Sequence, residues 1–151
     1  IDIENSYFVP DELAMDALIA ARRRGVRVRI VTPNHHTDAK LGRWATHGLY
    51  QPLLDAGVEI YEYQPTMIHC KVLVVDGHWA TVGSANFDNR SFRLNDEANL
   101  NVFDRDFAAE QVAMIEADLQ KSVRISPSRW RTRPFGKRLY ERTALLLRSQ
   151  L

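Results

Sequence analysis

The sequence predicts an α/β domain in which a mixed β-sheet is layered between helices. Short apolar segments with strand periodicity alternate with segments whose apolar residues recur at helical spacing. An Asp-Gly pair near the middle joins two further strands directly, which adds an antiparallel hairpin to the alternating pattern. The 151 residues, 45% of them apolar, suffice for the core of one globular domain.

The first half of the chain alternates strands and helices. Its predicted elements are a strand over 3–9, a helix from Asp11 to the stop at Gly25, a strand over 26–31, a helical pattern over 41–54 and a strand over 58–63. Acidic residues begin the first helix and three arginines end it, an arrangement that suits the helix dipole. We expect Pro52 to split the second helix.

The second half begins with the hairpin. Segments 67–75 and 78–84 flank Asp76-Gly77, a dipeptide typical of a two-residue turn. A strand over 99–103 and a capped amphipathic helix over 104–122 follow, the helix with an apolar stripe that includes Ile115.

Charge divides the chain into two parts. Residues 129–151 carry seven Lys or Arg and one Glu, a net charge of +6, which leaves residues 1–128 at −5 although the whole chain has a formal charge of only +1. We therefore separate a lobe, 1–128, from a basic amphipathic C-terminal segment, 129–151, here called the basic tail. The chain opens as if already within a strand and is expected to be a piece of a longer protein.

The cysteine count and hydropathy exclude two classes of protein. Cys70 is the single cysteine, which excludes an internal disulfide and a multi-cysteine metal site. No apolar run approaches the roughly 20 residues needed to span a bilayer.

The hairpin places four polar side chains together. With a two-residue turn, paired positions sum to 153, so His69 lies opposite Ser84, and Lys71 and Asn86 project to the same face. An imidazole, an ammonium, a hydroxyl and an amide on one face suit phosphate chemistry. A three-residue loop would instead turn the second strand's polar residues to the opposite face.

The spacing of these residues is also that of a known motif. The pattern His69-x-Lys71-x4-Asp76-x6-Gly83-Ser84-x-Asn86 resembles the HKD motif of the phospholipase D superfamily. The flanking segments 7–10, 86–91 and 95–97, with most of the remaining chain, are similar to the C-terminal half of bacterial cardiolipin synthases.

The resemblance implies a phospholipase D-like lobe and phosphatidyl transfer in two steps. His69 would attack a phosphodiester to give a phosphohistidine, and a second motif histidine would transfer the protons. Lys71, Ser84 and Asn86 would bind the phosphate oxygens. Glu97 would be the acid that orients the imidazole. The resemblance also implies that the reaction requires neither a metal nor another cofactor. We interpret Asp76 as a turn former and Gly83 as a structural residue of the motif.

The family's active sites combine two motifs, and this chain holds one. The chain is therefore expected to be the second half of a two-lobed enzyme, or one subunit of a symmetric homodimer. The expected substrate is a phospholipid, with phosphatidylglycerol first. We expect the basic tail to dock at the bacterial cytoplasmic membrane and not to bind nucleic acid. The protein would then be peripheral, or tethered by a segment absent from this chain. The alternatives are a phospholipase D, a nuclease-type phosphodiesterase, or a non-catalytic docking or dimerisation lobe.

A second histidine cluster has a simpler interpretation. His35-His36 lies in a polar loop with Asp38, and His47 follows nearby. A solvated loop or substrate rim is favoured here over a metal site.

Overall fold

A seven-stranded mixed sheet forms the centre of the computed structural model, which describes residues 1–38 and 40–146. The strands are β1 Asp2–Asn5, β2 Phe8–Val9, β3 Arg29–Pro33, β4 Glu59–Tyr63, β5 Lys71–Val75, β6 Trp79–Gly83, β7 Phe87–Asp88, β8 Asn99–Phe103 and β9 Ser122–Arg124. The helices are α1 Glu12–Arg23, α2 Lys40–Asp55, α3 Asn89–Arg93, α4 Arg105–Leu119, α5 Pro127–Arg131 and α6 Phe135–Leu145. The sheet order is β8-β6-β5-β1-β3-β4-β9, and β2 and β7 form a separate parallel pair. The predicted fold class is confirmed.

Each face of the sheet buries its own apolar cluster. On one face, residues such as Ile30 and Ile60 pack with Leu53 of α2 and with α1. On the other face, Val74 and its neighbours pack against Ile115 and the rest of the apolar stripe of α4. Helices cover both faces, so the functional groups concentrate at one end of the strands.

The predicted break at Pro52 is wrong, because α2 runs through it from Lys40 to Asp55. The proline falls in the last turn, where it removes one main-chain hydrogen bond to the carbonyl of Gly48. Leu53 and Leu54, which follow it, are almost fully buried. Their burial, each contributing about 2 kcal/mol, offsets the cost of the proline.

The register predicted for the hairpin is also wrong. Val75 pairs with Trp79 and Val72 with Val82, so paired positions sum to 154 and the loop has three residues. Asp76 and Gly77 both have positive φ, as a tight turn requires, but His78 is an extra residue outside the ladder. This register turns Ala80, not Thr81, toward the core together with Val72 and Val74, and buries the more apolar side of β6.

Other element bounds also differ from the predictions. The strand predicted over 26–31 runs from Arg29 to Pro33, and the strand predicted from residue 67 begins at Lys71, so His69 lies in the segment before it. The strand expected over 3–9 is interrupted after Asn5, whose side-chain oxygen accepts from the backbone N–H groups of Tyr7 (3.1 Å) and Phe87 (3.2 Å). These two bonds redirect the chain into β2, which pairs with β7. The helix expected over 104–122 ends at Leu119, since the following residues form β9 on the edge of the sheet.

The described part of the basic tail comprises the end of α5, which begins at Pro127, and all of α6, and both helices pack against α2. Arg133 and Glu141 form a buried ion pair (Nη2 to Oε2 2.7 Å), and the Trp130 ring packs on Tyr50 of α2. The outer surface of α6 exposes Phe135 and Tyr140 among basic residues. Residues 147–151 of the basic tail lie outside the described residues. No helix within residues 1–38 and 40–146 is long and apolar enough to cross a membrane.

Candidate active site

Three strand ends meet at one end of the sheet. β1 and β5 are antiparallel neighbours with Asn5 paired to Lys71, so the end of β1 lies beside the start of β5. β6 ends at Gly83 next to the same place, because it pairs antiparallel with β5. Residues leaving these strands, Ser6 and Ser84 among them, therefore converge there even though the predicted hairpin register is wrong.

Lys71 is the centre of the arrangement. Its side chain is buried, and Nζ donates to the hydroxyl of Ser6 (2.7 Å) and to the backbone carbonyl of His69 (3.0 Å). The Ser6 hydroxyl in turn donates to Oδ1 of Asn86 (3.2 Å). Burial lowers the pKa of Lys71, while the carboxylates of Glu97 and other acidic residues act in the opposite direction.

The imidazole of His69 is open to solvent beside this ammonium. Its Nδ1 lies 3.3 Å from Nζ of Lys71, and Nε2 lies 3.4 Å from the same atom. The preceding residue, Ile68, is buried in the core and fixes the backbone at this position. An exposed imidazole on an anchored backbone, next to a buried cation, is suited to attack on an anionic phosphodiester.

Glu97 organises the loops around the site. Its carboxylate accepts from the hydroxyls of Ser84 (2.5 Å) and Ser91 (2.9 Å) and from Nδ2 of Asn95 (3.1 Å). These hydrogen bonds, that of Ser84 first, lower the pKa of Glu97. Among the described residues no hydrogen bond joins Glu97 to His69, so an orienting role of this carboxylate stays a prediction.

The other motif residues have structural positions. Asp76 lies in the hairpin turn with φ +55°, five residues along β5 from Lys71 and thus about 17 Å away. At Gly83 an added Cβ would lie 2.0 Å from Oδ1 of Asn99 and 2.3 Å from the carbonyl of Ala98. Gly83 therefore permits the close approach of β8 to the end of β6, directly before Ser84.

Ser6 is the site residue that sequence reasoning missed. It is buried and hydrogen-bonds to both Lys71 and Asn86. The signal in the sequence was the run Glu4-Asn5-Ser6, three consecutive polar residues between the apolar Ile3 and Tyr7-Phe8. All three are buried, so they face protein groups and not solvent.

The histidine cluster of the sequence does not assemble. His47 lies on α2, where Nε2 is 2.7 Å from Oε1 of Glu62. The rings of His35 and His36 contact each other at a tilt of 38° in the loop, and the hydroxyl of Tyr7 donates to Asp38 nearby in the chain. Within residues 1–38 and 40–146, no group of three or more His, Cys, Asp or Glu side chains could hold a metal ion.

The comparison with protein families decides the relationship. A family model described as a cardiolipin synthase, PLD-like domain matches residues 1–119. The chain belongs to this family. The match includes the whole His69 to Asn86 pattern and Glu97, and it confirms the resemblance stated from the sequence.

Relatives of this lobe carry the same name. It is 41% identical over 132 residues to the minor cardiolipin synthase ClsB of Bacillus subtilis, an alignment that covers 87% of this chain and 33% of the relative. It is 45% identical over 126 residues to cardiolipin synthase A of Pseudomonas aeruginosa, covering 83% of this chain and 25% of the relative. The chain thus spans about a quarter to a third of these proteins.

Solved structures share the fold. Nuc of Salmonella typhimurium, a phospholipase D family member, matches with a TM-score of 0.71 at 22% identity, over 82% of this chain and 79% of its own. The phosphatidylserine synthase of Haemophilus influenzae matches with a TM-score of 0.69 at 15% identity, over 99% of this chain and 41% of its own. At these identities the likeness concerns the fold alone.

Proposed function

We propose that this phospholipase D-like lobe contributes one half of the active site of a phosphatidyltransferase of the cardiolipin synthase type. The observation that carries the proposal is the state of Lys71. Its ammonium is buried beside His69, yet it forms no ion pair with a carboxylate in the described part of the chain. A buried, unpaired cation is costly, and a phosphodiester oxygen would supply the missing charge.

The transfer uses His69 as the nucleophile. An imidazole nitrogen forms a bond to phosphorus while the bond from phosphorus to the leaving glycerol oxygen breaks, and a second histidine donates the proton that this oxygen takes up. The acceptor hydroxyl then loses its proton to that second histidine and attacks phosphorus, which releases His69. Lys71, Ser84 and Asn86 stabilise the charge on the non-bridging oxygens. Neither step requires a metal or other cofactor.

The second histidine would come from another lobe. Since the alignments cover most of this chain but only a quarter to a third of each relative, each relative has room for a second motif-bearing half. Around the open site, Phe92, Leu94 and Leu100 are exposed apolar side chains that such a lobe would cover. A homodimer of this chain is the alternative source. Light scattering on this chain, followed by a phosphodiesterase assay, separates the two: an active dimer supports the homodimer, and an inactive monomer supports the missing half.

The substrate is an anionic phospholipid, with phosphatidylglycerol as both donor and acceptor. Exposed Phe135, Leu139 and Tyr140 on α6 flank the adjacent cations Lys137 and Arg138, a combination suited to the surface of an anionic membrane. We place the protein at the bacterial cytoplasmic membrane on this basis, peripheral or tethered by another segment.

The direct test is cardiolipin formation by the full-length protein in vesicles of phosphatidylglycerol. His69→Ala is expected to abolish it, while the matched control His78→Ala, an exposed histidine in the hairpin turn, retains wild-type activity. Cardiolipin formation by His69→Ala would overturn the proposal. Phosphatidate as the sole product, or cleavage of DNA, would instead assign the phospholipase or nuclease alternative. Salt-sensitive vesicle binding without turnover would assign a docking role.

A further inference from the structure

A buried carboxyl group contacts segment 69–71 of the candidate active site. Glu4, on β1, is fully buried and lies on the face of the sheet that α4 covers, between its register partners Val31 and Val72. Its Oε1 accepts a hydrogen bond from the thiol of Cys70 (3.1 Å), while Oε2 has no hydrogen-bond partner among the described residues. A buried polar atom without a partner costs free energy, so stability alone does not account for a carboxyl group at this position.

Cys70 connects this carboxyl group to the candidate active site. It is the residue between His69 and Lys71, and its backbone carbonyl accepts from the N–H of Ser6 (3.2 Å). Ser6 and Glu4 therefore hold Cys70 through its main chain and its side chain respectively. Because the chain is fixed at Cys70, the positions of the imidazole before it and of the ammonium after it depend on these two contacts.

The surroundings of Glu4 bring its titration close to neutral pH. Burial raises the pKa of Glu4 to about 7, while the hydrogen bond from Cys70 lowers this pKa, the Asp118 carboxylate raises it and the Lys121 ammonium lowers it. Asp118 and Lys121, at the end of α4, pair with each other (3.0 Å), and the register partners of Glu4 on β3 and β5 are valines. Ionisation therefore places a charge in apolar surroundings, and this cost is relieved only if the carboxylate moves toward water, which breaks its hydrogen bond with Cys70.

We propose that Glu4 is a positioning residue for the transfer reaction and that only its protonated form holds segment 69–71 in the active arrangement. The inference rests on the proposed function. The neutral carboxyl group keeps the hydrogen bond from Cys70 and leaves no charge buried under the sheet. When Glu4 ionises, the segment loosens, and His69 and Lys71 lose the fixed geometry on which the rate of transfer depends steeply. Loss of activity on ionisation of Glu4 therefore follows as pH rises through about 7.

The first test is the pH dependence of phosphatidyl transfer by the full-length protein, compared between the wild type and Glu4→Gln. The amide still accepts from Cys70 but does not ionise, and the ratio of the two rates at each pH cancels the titration of the catalytic histidines. The rates should be similar at pH 6. At pH 8, one unit above the pKa, about one-tenth of Glu4 remains protonated, so the wild type should be about tenfold slower than Glu4→Gln. The matched control Glu110→Gln, which removes an exposed carboxylate from α4, should follow the wild type at both pH values.

The second test does not depend on turnover. The amide of Ser6 donates to the carbonyl of Cys70, so its hydrogen exchange reports whether the two segments stay together. Local opening that exposes Glu4 is favoured by its ionisation, and the protection factor of this amide, which is corrected for the intrinsic pH dependence of exchange, should fall about tenfold between pH 6 and 8 in the wild type. It should stay constant in Glu4→Gln.

The outcomes separate this inference from the proposed function. Parallel pH profiles of transfer in the wild type and Glu4→Gln, or equal pH dependence of Ser6 protection in both, would overturn the positioning role while leaving the phosphohistidine chemistry intact. Absence of any transfer by the wild type would overturn the proposed function itself. If Glu4→Gln fails to fold, Cys70→Ala replaces it. Loss of the thiol donor raises the pKa of Glu4, so the fall in Ser6 protection should move to higher pH, and an unshifted fall would overturn the inference.

Discussion

Replacing Lys71 with methionine should separate function from stability. The variant keeps a side chain of similar length but removes the ammonium that donates to Ser6 (2.7 Å) and to the carbonyl of His69 (3.0 Å). Loss of one preorganised donor to a developing charge costs about 3–4 kcal/mol, so the rate of phosphatidyl transfer should fall by roughly 10²–10³. Two hydrogen bonds, together about 2–3 kcal/mol, are lost from the fold, but the several kcal/mol cost of a buried unpaired ammonium also disappears.

The free energy of unfolding of Lys71→Met at pH 7 should therefore equal or exceed that of the wild type, measured by urea denaturation. Burial lowers the pKa of Lys71 below its usual 10.5, so the cost of the ammonium is present at neutral pH and is relieved as pH rises through the lowered pKa toward 10.5. The advantage of the variant should shrink over that range. Lys121→Met, at an exposed ion pair, is the control and should leave the urea midpoint nearly unchanged, because solvent screens such pairs. A loss of 3 kcal/mol or more in Lys71→Met would show that the lysine is structural and refute the reasoning.

Three further changes test the surrounding structure. Gly83→Ala places a Cβ 2.0 Å from a side-chain oxygen on β8, so it should lower the free energy of unfolding by about 1–3 kcal/mol. Gly136→Ala, where a Cβ would meet open space, should leave the free energy of unfolding unchanged. Equal urea midpoints for the two variants would contradict this. Glu141→Ala leaves Arg133 buried without its partner and should lower the free energy of unfolding by about 3–5 kcal/mol. The loss should appear as faster hydrogen exchange of the amides in α6. Unchanged exchange would mean that other contacts hold α6 in place. Burial raises the pKa of Glu4 to about 7, so the free energy of unfolding of the wild type should fall by about 3 kcal/mol between pH 4.5 and 7. Glu4→Gln should remove most of this pH dependence. If the two proteins lose stability in parallel as pH rises, Glu4 is not the group responsible.

The hairpin illustrates what local sequence can and cannot predict. The Asp76-Gly77 pair correctly located the turn, because both residues adopt the positive φ that such turns require. It could not exclude the extra residue His78, since burial of Ala80 and Val82 against α4 decides the register and depends on a helix distant in sequence. Asn86 is still linked to Lys71 through the hydroxyl of Ser6, because it lies beyond the end of β6, where strand alternation no longer applies. The Ser84 hydroxyl donates to Glu97 instead.

The part of the candidate active site that lies on one continuous segment of the chain can be predicted from the sequence. The spacing from His69 to Asn86 lies on a single hairpin and was visible without a structure. The hydrogen bond from Lys71 to Ser6 joins residues 65 positions apart and follows from the pairing of β1 with β5, which no local pattern specifies.

The central claim is that His69 forms the covalent intermediate. It is tested most directly by mass spectrometry of the full-length protein, quenched under alkaline conditions within milliseconds of mixing with phosphatidylglycerol vesicles. The account predicts a phosphatidyl adduct on the peptide that contains His69, absent from His69→Ala and present in His78→Ala. An adduct found on another residue, or turnover by the wild type without any adduct, would contradict it.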